Sequence, residues 1–206
     1  MGDRLYDSRV PRECLVADSA KGRYGDAMRI GLIRHFKVEE GLPRGWRTAL
    51  ELHEWRSRYD TSQVISAPLD LGANPWSTCF SSDLERAVLT AKAAFPGEIE
   101  FTPLLREAEF APFKTGSLKL PTWLWRQVLR VAWMSGHSSQ RACRDEFQSR
   151  VRAVADRLEA QKEDILVVSH AGMMIYLTKE LARRGFIGPK LRMPENARLY
   201  VYEKGA

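Results

Sequence analysis

The sequence predicts an α/β fold, namely a three-layer α/β/α sandwich with a mostly parallel central sheet. Two observations lead to this class. Short apolar runs alternate along the chain with longer amphipathic stretches, which is the order that produces repeated strand–helix units. The strongest apolar runs also lack polar alternation, as is typical of strands that helices cover on both faces.

The predicted strands follow from these apolar runs. Met28 to Ile33 forms the first, and it leads directly into Arg34 and His35. Asp164 to Ser169 is the clearest, and it is also followed by a histidine, His170. Further strands are predicted at 76–81, 99–105 and 197–202, the last with an alternating character that closes the sheet.

Helices are predicted between these strands, at about 46–59, 83–95, 123–134, 140–161 and 172–184. The long stretch before the clearest strand has the strongest helical pattern, because Phe147, Val151, Val154 and Leu158 fall on one face. The helix before it is unusually rich in tryptophan.

The domain organisation follows from length and composition. A chain of 206 residues suits one large domain. Residues 1–26 are polar with little periodicity, so we expect an N-terminal extension there. Residues 27–206 are predicted to form a single domain, with a helical, tryptophan-rich insertion near 111–139.

Charge and cysteine content limit the binding partners and the cellular compartment that the sequence predicts. The net charge of +6 favours an anionic partner, but no run of five like charges occurs, so we expect a small phosphorylated metabolite rather than nucleic acid. No apolar stretch is long enough to span a bilayer, and no signal peptide is evident. The three widely spaced cysteines predict reduced thiols in the cytoplasm and no metal site. The sequence does not predict the oligomeric state, and a homodimer is one alternative.

Three predicted strands place polar residues at their carboxyl ends, where ligands bind in open α/β sheets. Arginine offers a rigid fork of donors that matches phosphate oxygens. A neutral imidazole can attack phosphorus, and a second imidazole can donate to an oxygen. These residues therefore predict an anion pocket, and they are Arg34, His35, Ser81, Ser82, Arg86, Ser169 and His170.

Four short motifs carry a resemblance to a known family. In chain order they are Ile33-Arg34-His35, Ser81 to Ala87 with Thr90-Ala91, Leu105-Arg106-Glu107, and Val168 to Gly172. In this order, and each on its expected element, they resemble the signatures of the histidine phosphatase (phosphoglycerate-mutase-like) superfamily, in its phosphatase branch. The resemblance implies a phosphoglycerate-mutase-like fold.

The resemblance also implies a mechanism. His35 would be the nucleophile that forms a phosphohistidine, and Arg34, Arg86 and His170 would hold the phosphoryl oxygens. Glu107 would act as general acid and then as general base. The implied activity is metal-independent hydrolysis of a small-molecule phosphomonoester, without a cofactor. Glu109 is the alternative candidate for the general acid.

Departures from the family pattern keep other functions open. Phe36 replaces the usual glycine, Val38 a threonine or serine, and Gly41 an asparagine. These changes remove side-chain donors near the phosphate. The alternative function is therefore a catalytically weak phosphate-binding pseudoenzyme or a protein-interaction module. A mutase-type phosphoryl transfer is a third reading.

Three further residues are candidates for contact with the substrate. Lys37 and Arg44 carry charges that suit an anionic tail. Trp123 could stack on a ring in the leaving group. For each of the three, a surface or core role without a ligand is the alternative.

Overall fold

The computed structural model describes residues 28–73 and 75–205, so the predicted extension at 1–26 lies outside the described residues. The described strands are β1 (Met28–Arg34), β2 (Lys37–Val38), β3 (Trp46–Arg47), β4 (Val64–Ile65), β5 (Thr78–Ser82), β6 (Ile99–Thr102), β7 (Leu120–Pro121), β8 (Ile165–Ser169) and β9 (Leu199–Lys204). The described helices are α1 (Ala49–Asp60), α2 (Glu85–Ala94), α3 (Thr122–Ser135), α4 (Ser138–Gln161) and α5 (Ala171–Arg183), with a 3₁₀ turn at Pro103–Leu105.

The central sheet has the strand order β6-β5-β8-β1-β9. β1, β5, β6 and β8 run parallel to one another, and β9 is antiparallel to β1. The predicted α/β class with a mostly parallel sheet is therefore confirmed. Because β1 and β5 both flank β8, the carboxyl ends of these three strands meet at one edge.

Helices cover both faces of the sheet. Ile30 and Leu32 face a core that α4 and α5 complete, while Ile33 faces a smaller core with Ala87 and Ala91 of α2. Successive residues of β1 thus enter opposite cores. This arrangement explains why the strand is apolar throughout rather than alternating.

The first helix begins later than the sequence predicts. Thr48 caps it: its hydroxyl accepts the Glu51 N–H at 3.1 Å, and the Glu51 carboxylate accepts the Thr48 N–H at 2.6 Å. This reciprocal capping fixes the first turn at Ala49. The two residues before the cap form β3, which pairs with β7.

The third predicted strand ends at Thr102 instead of continuing to 105. Pro103 starts a 3₁₀ turn there, and the Thr102 hydroxyl accepts the Leu104 N–H at 3.3 Å. The turn directs the chain towards the edge where β5 and β8 end. Among the described helices, none is both long and apolar enough to cross a bilayer.

Candidate active site

The sheet brings the two predicted histidines together. His35 follows β1 and His170 follows β8, and Arg34 lies opposite Ser169 in the parallel register. The His35 N–H donates to the Ser169 carbonyl at 3.0 Å. The two imidazole centroids lie 5.0 Å apart, and the residues are 3% and 1% exposed. The two histidines are thus positioned relative to each other by the pairing of β1 with β8.

The tautomer of His35 follows from its hydrogen bond. Nδ1 lies 2.6 Å from the Phe36 carbonyl oxygen, which can only accept, so Nδ1 carries the proton. Burial, followed by the charge of Arg86, lowers the pKa of His35 to about 3. The ring is therefore neutral at pH 7, and Nε2 keeps its lone pair. Asn196 donates to the His35 carbonyl at 2.7 Å and fixes the backbone.

His170 has a different set of neighbours. Its Nε2 lies 2.9 Å from the Ser82 hydroxyl, which also accepts the Leu84 N–H at 3.3 Å. Its Nδ1 is buried and has no hydrogen-bond partner among the described residues. Burial and then the charge of Arg86 lower the pKa of His170 well below its ordinary value. When the Ser82 hydroxyl donates to Nε2, Nδ1–H becomes a donor without a partner.

The depressed pKa values of the two histidines predict a loss of stability in mild acid. The unfolded chain binds these protons near pH 6.5, whereas folded His35 resists protonation down to about pH 3. The two neutral histidines thus give their full contribution to the free energy of unfolding above pH 6.5. Below pH 6.5 this free energy falls, by up to about 1.4 kcal/mol per pH unit for each histidine. Urea unfolding at pH 7.5 and pH 5.0 measures this difference.

The variant His35→Gln isolates the contribution of one histidine. Its free energy of unfolding should fall less between pH 7.5 and pH 5.0 than that of the wild type, because one of the two groups is gone. Equal losses for both proteins would show that His35 has an ordinary pKa in the folded state.

Two arginines contribute buried donors to the site. Arg86 is 1% exposed, and its Nη1 donates to Asp60 Oδ1 at 2.7 Å. Arg34 donates from Nη1 to the Pro194 carbonyl at 3.0 Å. The Nε atoms of both are buried and have no partner among the described residues. Burial lowers the pKa of Arg86, and the Asp60 carboxylate opposes that shift.

Two further charged residues lie at the site, Arg56 and Asp60 on α1, and the sequence did not predict them. Arg56 Nε lies 3.2 Å from Asp60 Oδ1, and its charge contributes to the lowered pKa values of both histidines. In the sequence the two residues look like an ordinary surface pair at i and i+4. No local signal shows that the helix end points at Arg86.

Thr90 links the segment that follows His35 to α2, the helix of Arg86. Its hydroxyl accepts the Phe36 N–H at 2.8 Å and donates to the Arg86 carbonyl at 2.7 Å. The residue after the first histidine is thereby attached to the helix that carries Arg86. The sequence motif contained this threonine, but its role as a link required the structure.

Glu107 lies beside the second histidine segment, at the start of α5. Its Oε1 accepts the N–H groups of Ala108 at 2.9 Å and Met173 at 3.1 Å, and its Oε2 accepts the Gly172 N–H at 2.9 Å. A Cβ at position 172 would crowd this carboxylate, so a larger residue there would require the Glu107 side chain to shift. Glu109 is exposed and makes no hydrogen bond with a described residue.

The three candidate substrate contacts lie in two places. Arg44 and Trp123 both line an open groove of about 590 Å³, together with Trp46 and Arg126. Trp123 is 65% exposed there. Lys37 is exposed on β2 and does not line the groove.

The departures after the first histidine have structural roles. Phe36 and Val38 are buried, and Val38 belongs to β2, which pairs with β4. The Gly41 carbonyl accepts the indole N–H of Trp55 at 3.0 Å. This segment therefore packs against α1 and β4 and adds no side-chain donor from positions 36, 38 or 41.

The described residues also contain no group of three or more His, Cys, Asp and Glu that could hold a metal ion.

Comparison with known families decides the assignment. The model of the histidine phosphatase superfamily (branch 1) matches residues 61–204, which is more than half of the chain. The chain belongs to the histidine phosphatase superfamily. The match includes Arg86, Glu107 and His170, and it begins after His35 and the divergent segment that follows it. No protein with a curated description is significantly similar to this histidine phosphatase in sequence.

Solved structures resemble this histidine phosphatase in fold. Mycobacterial hydrolase 2 is 15% identical with a TM-score of 0.51, over 86% of this chain and 82% of that chain. Mycobacterial hydrolase 1 is 16% identical with a TM-score of 0.50, over 84% of this chain and 88% of that chain. The mycobacterial glucosyl-3-phosphoglycerate phosphatase is 17% identical with a TM-score of 0.47, over 76% and 80%.

Proposed function

We propose that this histidine phosphatase hydrolyses a small-molecule phosphomonoester and passes the phosphoryl group through His35. The observation that carries the proposal is one arrangement of buried groups. A neutral histidine lies near three buried polar atoms that have no hydrogen-bond partner among the described residues: Nε of Arg34, Nε of Arg86 and, with Ser82 donating to Nε2, the Nδ1–H of His170. Buried donors in proteins are normally paired, so this set suits an anion with several oxygens.

The proposed reaction has two steps. In the first, Nε2 of His35 forms a bond to phosphorus while the bond to the leaving oxygen breaks, and Glu107 supplies a proton to that oxygen. In the second, Glu107 takes a proton from water, whose oxygen attacks phosphorus and releases His35. Arg34, Arg86 and His170 stabilise the charge on the phosphoryl oxygens in both transition states.

The proposed reaction needs no metal ion, because the side chains already supply positive charge. Arg34, Arg56 and Arg86 all lie close enough to lower the pKa values of both histidines. Cations of this kind can balance a phosphoryl group in a site that excludes water.

We also propose that the protein is cytoplasmic, and the free Cys79 and Cys143 support this.

We propose the groove as the binding place for the leaving group on the chemistry of its side chains alone, since its lining includes neither of the two histidines, nor Arg34, Arg86 or Glu107. Arg44 and Arg126 form no ion pair with a described residue, and the exposed ring of Trp123 is available for stacking. A polar, anionic or ring-bearing metabolite would suit these side chains. Lys37 remains a separate candidate for contact with an anionic tail.

One observation favours the second candidate, a phosphate-binding pseudoenzyme. The positions after His35 bury apolar side chains, Phe36 and Val38, where related proteins usually place small or polar residues. Fewer donors near the phosphate would lower turnover more than binding, because transition-state charge depends on each donor.

Hydrolysis of a generic aryl phosphate in the presence of a metal chelator tests the proposal. We expect turnover that the chelator does not reduce, and an acid-labile phosphoenzyme in samples quenched within one turnover. Phosphate binding without turnover on this probe or on a metabolite set would favour the pseudoenzyme. Turnover that depends on an added divalent cation would contradict the metal-free route.

A further inference from the structure

We propose that Asp60 is an internal counter-ion of the phosphate pocket and that an incoming phosphoryl group must displace it from Arg86. This inference rests on the phosphate-binding role of Arg86 in the proposed function. It adds a residue that competes with the ligand, and so sets how strongly an anion must bind to enter the pocket.

The geometry places Asp60 on the cation that the ligand needs. Asp60 ends α1, and its Oδ1 accepts from Arg86 Nη1 at 2.7 Å and from Arg56 Nε at 3.2 Å. Arg86 is buried, whereas the Asp60 side chain is 29% exposed. The carboxylate can therefore leave towards solvent, but the guanidinium cannot follow it.

The electrostatics explain why a counter-ion is present. Arg86 and the partly buried Arg34 and Arg56 surround two histidines that are neutral, so the histidines offer no negative charge. A buried cation is costly unless an opposite charge pairs with it. Glu107 does not fill this role, because its oxygens accept backbone N–H groups at the start of α5. Asp60 therefore balances Arg86 before a ligand binds.

Displacement by a ligand depends on its charge and number of oxygens. A carboxylate from solution offers nothing that the tethered Asp60 lacks, so it competes poorly. A phosphate dianion carries more charge, and it can also accept from Arg86 Nε and His170 Nδ1, which have no described partner. Phosphate therefore displaces Asp60 more readily than a simple carboxylate does.

The variant Asp60→Asn tests this inference by calorimetric titration of inorganic phosphate and of acetate. Asparagine keeps the size of the side chain and removes its charge. We expect phosphate to bind about tenfold more tightly or better, since a like charge beside the ligand is removed. Acetate should also bind more tightly, because it no longer competes with the tethered carboxylate for Arg86.

The matched control is Asp164→Asn, which removes an aspartate that also pairs with an arginine, Arg29, at the opposite end of β8. Its phosphate affinity should equal that of the wild type. Unchanged or weaker phosphate binding by Asp60→Asn would overturn the inference and assign Asp60 to holding Arg86 in place. Asp60→Ser provides the same comparison if the asparagine variant does not fold.

The titration does not depend on turnover, so it separates this inference from the proposed function. Tighter phosphate binding by the variant, in a protein that hydrolyses nothing, would support the counter-ion role and contradict the phosphatase proposal. Hydrolysis by the wild type with no gain in the variant would do the opposite.

Discussion

Replacing His35 by alanine is expected to abolish phosphomonoester hydrolysis. The substitution removes Nε2, the atom that the proposed mechanism bonds to phosphorus, and no other described nucleophile occupies that position. We expect kcat to fall at least ~10³-fold, in line with the loss of a covalent nucleophile. Steady-state turnover of an aryl phosphate with chelator present measures the loss, and the acid-labile phosphoenzyme should vanish with it.

The control for this variant is His53→Ala, because His53 is an exposed histidine on α1. Its activity and its thermal unfolding temperature should match those of the wild type. His35→Ala should still bind inorganic phosphate, since Arg34, Arg86 and His170 remain. Wild-type turnover in His35→Ala would remove this residue from the role of nucleophile.

Replacing Glu107 by glutamine should slow the reaction in a way that depends on the leaving group. An alkyl phosphate needs a proton on the departing oxygen, so its kcat should fall ~10²–10⁴-fold, the usual contribution of general acid–base catalysis. An activated aryl phosphate departs without a proton, so its loss in the first step should be much smaller. Comparing the pre-steady-state burst of leaving-group release for the two substrates isolates the acid role from the base role that Glu107 has in the common second step.

The structural part of the Glu107→Gln effect can be separated. The glutamine amide would face an N–H donor at the start of α5, because the carboxylate now accepts from Ala108, Gly172 and Met173. We expect a loss of stability of about 1–3 kcal/mol from the unpaired group. A structural effect alone would slow the first step of both substrates equally.

Glu109→Gln is the matched variant for the alternative acid. Its side chain is exposed and makes no described hydrogen bond, so stability should not change. If Glu109 is a bystander, both substrates should turn over at the wild-type rate. A selective loss on the alkyl phosphate in this variant, and not in Glu107→Gln, would move the acid to position 109.

The parts of the site that the sequence predicts are those that follow strands. An apolar run ending in a histidine can be read from the sequence, and the positions of His35 and His170 relative to the sheet follow from its parallel pairing. Arg86 is predictable because it lies one helical turn after a strand. In each case a local pattern and one rule about sheets are sufficient.

The parts that the sequence does not predict depend on distant contacts. Asp60 reaches Arg86 across 26 positions, although its local pattern indicates only a helix-surface pair with Arg56. β3 and β7 are two residues long and have no periodicity to detect, yet their pairing brings Trp46 and Pro121 together. Such contacts are decided by packing and not by local preference.

The register between β1 and β8 has a consequence for inactivation. The two histidines are aligned by central strands of the sheet, which are among the last parts of a protein to open. Fraying of the outer loops would change access to the pocket without separating the imidazoles. The spacing of the two histidines therefore persists as long as the hydrophobic core itself.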